Sequence, residues 1–145
     1  GTILARLGNN LDVQATSVRS PQVNVTAYTT DTTVAPGTHF SIVLDITPGP
    51  GMHVYAPGVT GYKPIALEVA PEAGLLVRGA QYPPSETYHF KPLNERVQVY
   101  QRPFRVVQEL TVDPTPQGTA ALAGKSQLEI TGTLAYQACD DRVCY

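Results

Sequence analysis

Clusters of basic residues and long apolar runs are both missing from this chain of 145 residues. Ten lysines and arginines are balanced by twelve aspartates and glutamates, for a net charge of -2. That balance leaves no electrostatic footprint for nucleic acid, which is excluded as a partner. The longest apolar run is only a few residues, too short for a transmembrane helix, and no charged-then-apolar secretion signal opens the sequence. Cysteine is scarce too. Two cysteines cannot make the framework of a disulfide-rich secreted scaffold, and at this length a core can form without crosslinks or metals. Also lacking are a Cys-x-x-Cys motif beside a βαβ pattern, a phosphate-binding glycine loop, a Ser-His-Asp set and a pair of catalytic carboxylates.

What is abundant is punctuation. Thirteen prolines and twelve glycines divide the chain into short stretches rich in β-branched residues, leaving little room for helices. Val23, Val25 and Ala27 alternate with polar neighbours, and Phe40, Ile42, Leu44 and Ile46 repeat the pattern after the Ala35-Pro36-Gly37 turn. Further strands are predicted at Met52–Tyr55, Pro64–Ala70, Leu75–Ala80, Arg96–Gln101 and Phe104–Val112, with a last one through Leu128, Ile130, Leu134 and Tyr136. About eight short antiparallel strands with frequent turns predict an all-β, immunoglobulin-like antiparallel β-sandwich over residues 22–145. Residues 1–21 are poorly patterned and read as an extended arm or edge strand. Residues 82–95 hold three aromatics and three prolines without alternation, and read as a long loop of the functional kind.

The two cysteines stand at the very end, in Cys139-Asp140-Asp141-Arg142-Val143-Cys144-Tyr145. With Asp140-Asp141 as turn formers, the sulfurs can face each other across a short hairpin. A disulfide there closes a ring of about six residues, and such a ring stabilises a fold by only about 2 kcal/mol. So weak a staple favours redox use over bracing, but a structural hairpin disulfide and two unreactive thiols stay open at this point. Zinc would need two further ligands, and His39, His53 and His89 lack the spacing to supply them. No metal is expected. Arg142 would lower a thiol pKa here, whereas the aspartates and burial would raise it.

Tyr136-Gln137-Ala138-Cys139 followed by Val143-Cys144-Tyr145 resembles the active-site hairpin of the N-terminal domain of the thiol:disulfide interchange protein DsbD. Gly51-Met52-His53-Val54-Tyr55, after a proline-glycine turn, is similar to the family's glycine-aromatic-x-hydrophobic-Tyr segment, whose side chains line the cysteine site. Val99-Tyr100 is a weaker third match, and the resemblance covers roughly residues 38–145. This chain departs from the best-known members in two places. It has one residue fewer between the cysteines, and His53 stands where they have tyrosine.

The resemblance implies an immunoglobulin-like sandwich that works as a periplasmic thiol-disulfide exchange domain. It would accept electrons from a thioredoxin-like domain fed by a membrane-embedded partner, in the same chain or another, and pass them to periplasmic disulfide proteins. Cys144 would form the mixed disulfides and Cys139 would resolve them, with no cofactor. His53, Tyr55, Tyr136 and Gln137 would line the site, and a cap within Ser85–Glu95, centred on Phe90 with Tyr88 as second choice, would shield it. The parent protein is expected to continue past Tyr145, tethering the domain to the inner membrane. A noncatalytic immunoglobulin-like binding module braced by the disulfide is the alternative from another class.

Overall fold

The computed structural model describes residues 11–13, 18–19 and 21–145. Alternation becomes strand almost wherever it occurs. Thirteen strand segments follow one another among the described residues: β1 Leu11–Asp12, β2 Val18–Arg19, β3 Val23–Thr29, β4 Thr33–Val34, β5 His39–Pro48, β6 His53–Tyr55 and β7 Ala66–Val69, then β8 Leu75–Gln81, β9 Glu86–Phe90, β10 Glu95–Tyr100, β11 Phe104–Val112, β12 Gly132–Ala135 and β13 Ala138–Cys139. Eight of these have four residues or more, which is the number expected; the others are short pairings at edges and site. All pairings are antiparallel. One sheet has the order β2-β3-β5-β11-β8 and a second the order β13-β6-β10-β9, with the pairs β1-β4 and β12-β7 beside them.

The period of two fixes what each sheet buries. Val23, Val25, Leu44, Ile46 and Val106 of the five-stranded sheet pack with Val54, Tyr100 and Ala138 of the four-stranded sheet, and with Ala56 and Ile65. Each aliphatic side chain so buried contributes about 1.5–3 kcal/mol. A second cluster gathers Leu11, Val13, Val34, Phe40, Leu75, Leu110, Val112, Leu122 and Leu128. The spine is the β5–β11 ladder, paired from Phe104↔Ile46 to Thr111↔His39. Where β11 slips against β8, the buried Gln108 amide donates to the carbonyls of Arg78 and Glu109, satisfying the backbone the irregularity frees.

Three expectations are corrected. The supposed loop at 82–95 contains strand β9, hydrogen-bonded to β10 from Glu95↔Phe90 to Val99↔Glu86. Its residues Glu86, Tyr88 and Phe90 share one face, and such a mixed set hides the apolar alternation. A helix α1, Pro116–Ala121, also forms: the Thr115 hydroxyl accepts from the Gly118 N–H at 3.2 Å, and Pro116 begins the first turn. A Cβ at Gly118 would lie 2.5 Å from the Asp113 side chain, so glycine is required there. The strand predicted through Leu128, Ile130, Leu134 and Tyr136 is shorter: β12 covers only Gly132–Ala135, and Leu128 sits in the second core cluster outside any named strand.

Most of the expected arm at 1–21 lies outside the described residues. Its described pieces pair at Leu11↔Val34 and Val18↔Val25. No helix among the described residues is long and apolar enough to cross a membrane.

Candidate functional site

Strand β6 is three residues long and carries the site. The turn before it reverses at Gly51, whose φ of 73° suits glycine, and the Met52 N–H donates to the Gly49 carbonyl at 2.9 Å. The pleat then sends Val54 into the core between the sheets and His53 and Tyr55 to the opposite face. All three are buried. On one side β6 pairs with β13, setting Cys139 directly opposite His53. On the other it pairs with β10, setting Val99 opposite Tyr55. By the same alternation Val97 and Glu95 of β10, and Tyr88 and Phe90 of β9, line that face.

The turn after Cys139 is built by one carboxylate. Asp140 Oδ1 accepts from the backbone N–H groups of Arg142 and Val143, each at 2.7 Å, and the Asp140 N–H donates to the Val143 carbonyl at 3.0 Å. Those backbone donors hold the Asp140 carboxyl below its ordinary value. The Tyr145 N–H donates to the Ala138 carbonyl at 2.8 Å, closing the hairpin around the Cys139–Cys144 disulfide, whose Cα atoms are 4.0 Å apart. The two sulfurs are not equivalent. Cys139 is 2% exposed, whereas Cys144 is exposed between Val143 and Tyr145, which are themselves 50% and 58% exposed.

Over the buried cysteine lies an aromatic box. His53 Nε2 is 3.0 Å from the Tyr55 hydroxyl, and their rings meet edge-on with centroids 5.2 Å apart. Tyr88 covers His53 at 4.3 Å and donates its hydroxyl to Asp141 Oδ1, latching the β9 strand to the cysteine turn. That bond, with burial behind it, pushes the Tyr88 phenol up to about 12. Tyr55 stacks on Tyr62 at 4.1 Å, and the nearby Glu95 carboxylate holds the Tyr62 phenol above its ordinary value. One oxygen of that carboxylate, Glu95 Oε1, is buried without a partner among the described residues. Burial lowers the His53 pKa, against the pull of Asp141 and Asp140, and so favours the neutral imidazole. Burial likewise lifts the Tyr55 phenol far above its ordinary range.

A cleft of about 180 Å³ remains, lined by these residues and by Cys139–Cys144. It is smaller than the roughly 300–1,000 Å³ typical of small-molecule sites. An oxidised pair with one exposed cysteine, beside an aromatic cover over the other, can exchange with a thiol that approaches from outside. Residues 21–145 match the family described as thiol:disulfide interchange protein DsbD, N-terminal. The chain belongs to this family. The fold is also that of the N-terminal periplasmic domain of ScsB from Proteus mirabilis, with a TM-score of 0.60 at 15% identity over 92% of this chain. This chain spans 48% of that one. No curated protein sequence matches it.

Within this DsbD-type domain, Cys139, Cys144, His53, Tyr55, Tyr88 and Phe90 come together around one cleft. Tyr136 and Gln137 do not line it: Tyr136 packs against the core between the sheets, and the Gln137 side-chain Oε1 accepts from the Lys63 N–H at 3.0 Å. Sequence reasoning overlooked Tyr62 as a lining residue. Tyr62 lies between Gly61 and Lys63 with no periodicity to mark it, so only the fold reveals its place beside Tyr55.

Proposed function

We propose that the domain is a periplasmic dithiol carrier, in which Cys144 is the exchanging sulfur and Cys139 the resolving one. The observation that carries this reading is the asymmetry of the pair: an incoming thiolate can reach the exposed Cys144, while Cys139 is covered. Attack on the Cys144 sulfur breaks the Cys139–Cys144 bond and expels the Cys139 thiolate. The donor's second thiol then displaces Cys144, leaving donor disulfide and domain dithiol. Reversing these steps on an oxidised protein returns the domain to its disulfide form. The donor is a thioredoxin-like domain supplied through a membrane-embedded unit, and the acceptors are periplasmic disulfide proteins; the small cleft and exposed apolar rim suit protein partners better than a small substrate.

The test is electron transfer from a reduced thioredoxin-like donor to an oxidised acceptor protein. Cys144→Ser is expected to abolish it, whereas Cys139→Ser should trap a mixed disulfide through Cys144. Transfer that survives in Cys144→Ser would leave only the braced binding module.

A further inference from the structure

The buried sulfur raises a proton problem that the exposed one does not. To resolve a mixed disulfide on Cys144, Cys139 must lose its thiol proton, yet at 2% exposure it has little contact with water, and burial disfavours a thiolate. Cys139 and His53 are directly opposed on adjacent antiparallel strands with both side chains on the cleft face, a relationship that puts Cβ atoms about 4.5–5.5 Å apart. His53 Nε2 lies 3.0 Å from the Tyr55 hydroxyl; with Nε2–H donating to that oxygen, Nδ1 is the ring nitrogen left to accept a proton. Building on the exchange reading above, we infer that His53 is the proton acceptor for Cys139 in the resolving step, with Tyr55 as the positioning residue that fixes the imidazole.

The step balances. Cys139–SH transfers its proton to the neutral His53 ring, the resulting thiolate attacks the Cys144 sulfur, the Cys139–Cys144 bond forms, and the acceptor leaves as a thiolate. The imidazolium returns its proton to solvent or to the departing sulfur, and in the opposite direction it protonates Cys139 as that sulfur is expelled. Burial, which favours the neutral ring, suits His53 to accept a proton first. Asp140 and Asp141 face it from the hairpin, Tyr55 from its own strand and Tyr88 from β9, while Tyr62 and Glu95 stand beyond Tyr55. The two aspartates would stabilise the transient imidazolium.

The experiment uses the reduced domain and dithiobis(nitrobenzoate). The first release of nitrothiobenzoate marks the mixed disulfide on Cys144, and the second, followed by stopped flow, reports attack by Cys139. In the wild type the second rate should rise below neutrality and then run flat from about pH 7 to 9, because a base carries the proton. His53→Phe and His53→Tyr should slow it by about 100-fold at pH 7. Both should restore a climb of about tenfold per pH unit, the mark of a thiol that must ionise unaided. Superimposable profiles in wild type and variants overturn the assignment of His53 and leave the exchange reading intact. Independent reaction of both cysteines, seen as a second release that scales with reagent concentration and leaves two nitrothiobenzoate groups bound to the protein, overturns the exchange reading itself. A check without substitutions is available: the lower inflection of the wild-type rate must coincide with the titration of the His53 ring followed by NMR, and a mismatch sinks the proposal.

Discussion

Asp140 does for the hairpin what an N-cap does for a helix: one side-chain oxygen gathers two backbone donors that the turn leaves unpaired. Asp140→Ala should therefore accelerate amide exchange at Arg142 and Val143, and Asp140→Asn, which keeps the carbonyl oxygen, should change it little; equal exchange in all three proteins would assign the turn to its other contacts. The pH dependence follows from the lowered carboxyl pKa. The contribution of this group is fully present above the ordinary carboxyl value of 3.8 and is lost only as pH falls through the lower folded value. Protection of the two amides should accordingly persist at pH 4. At this scale the sequence was legible for what is local. Asp140-Asp141 read as a turn, and the cysteine spacing read as a hairpin. The meeting of Tyr62 with Tyr55, or of Tyr88 with Asp141, depends on strand register across the sheet and leaves no trace in neighbouring residues.

Strand β9 and its turn through Lys91–Leu93 form a hairpin with β10, so the cover over the disulfide is a ladder-bonded element and not a loop. Its contacts with the site are few: the Tyr88 ring on His53, the Tyr88 hydroxyl on Asp141, and Phe90 at the cleft wall. A hydrogen bond to a charged group is worth about 1.5–3 kcal/mol, so Tyr88→Phe, which keeps the ring, should raise the alkylation rate of the reduced cysteines about tenfold. Phe90→Ala should raise it as well, by removing a wall of the cleft. Rates unchanged in both variants would show that the hairpin is not what shields the sulfurs. Pro83 and Pro84 obscured this element, since they signal a break immediately before a strand whose inward residues are Glu, Tyr and Phe. By contrast β11 was legible end to end, because Val106, Leu110 and Val112 point inward along an uninterrupted run.

For the molecule as a whole, stability and redox chemistry rest on different parts. The core between the sheets is apolar and independent of the cysteines, and the disulfide closes too small a ring to matter much. Replacing Ile46, 1% exposed at the centre of that core, by alanine should cost about 2–5 kcal/mol. Removing the disulfide with Cys139→Ser and Cys144→Ser together should cost only about 2 kcal/mol. The ranking is the test: denaturant midpoints should fall further for Ile46→Ala than for the double serine variant, and the reverse order would make the bond a structural brace. A sandwich was readable from alternation because two-sided burial demands it. Helix α1 was not, because six residues leave too short a span for a helical period to emerge.

The lone oxygen of Glu95 has a bearing on how often the site opens. A buried acceptor without a partner makes the covered state less favourable by about 1–3 kcal/mol than a fully satisfied one. Lifting the hairpin would hydrate that oxygen, so water would return part of the work of opening before any partner arrives. The gap between the covered form and any open one is narrowed by that amount, which raises the share of the unbound domain open to a partner.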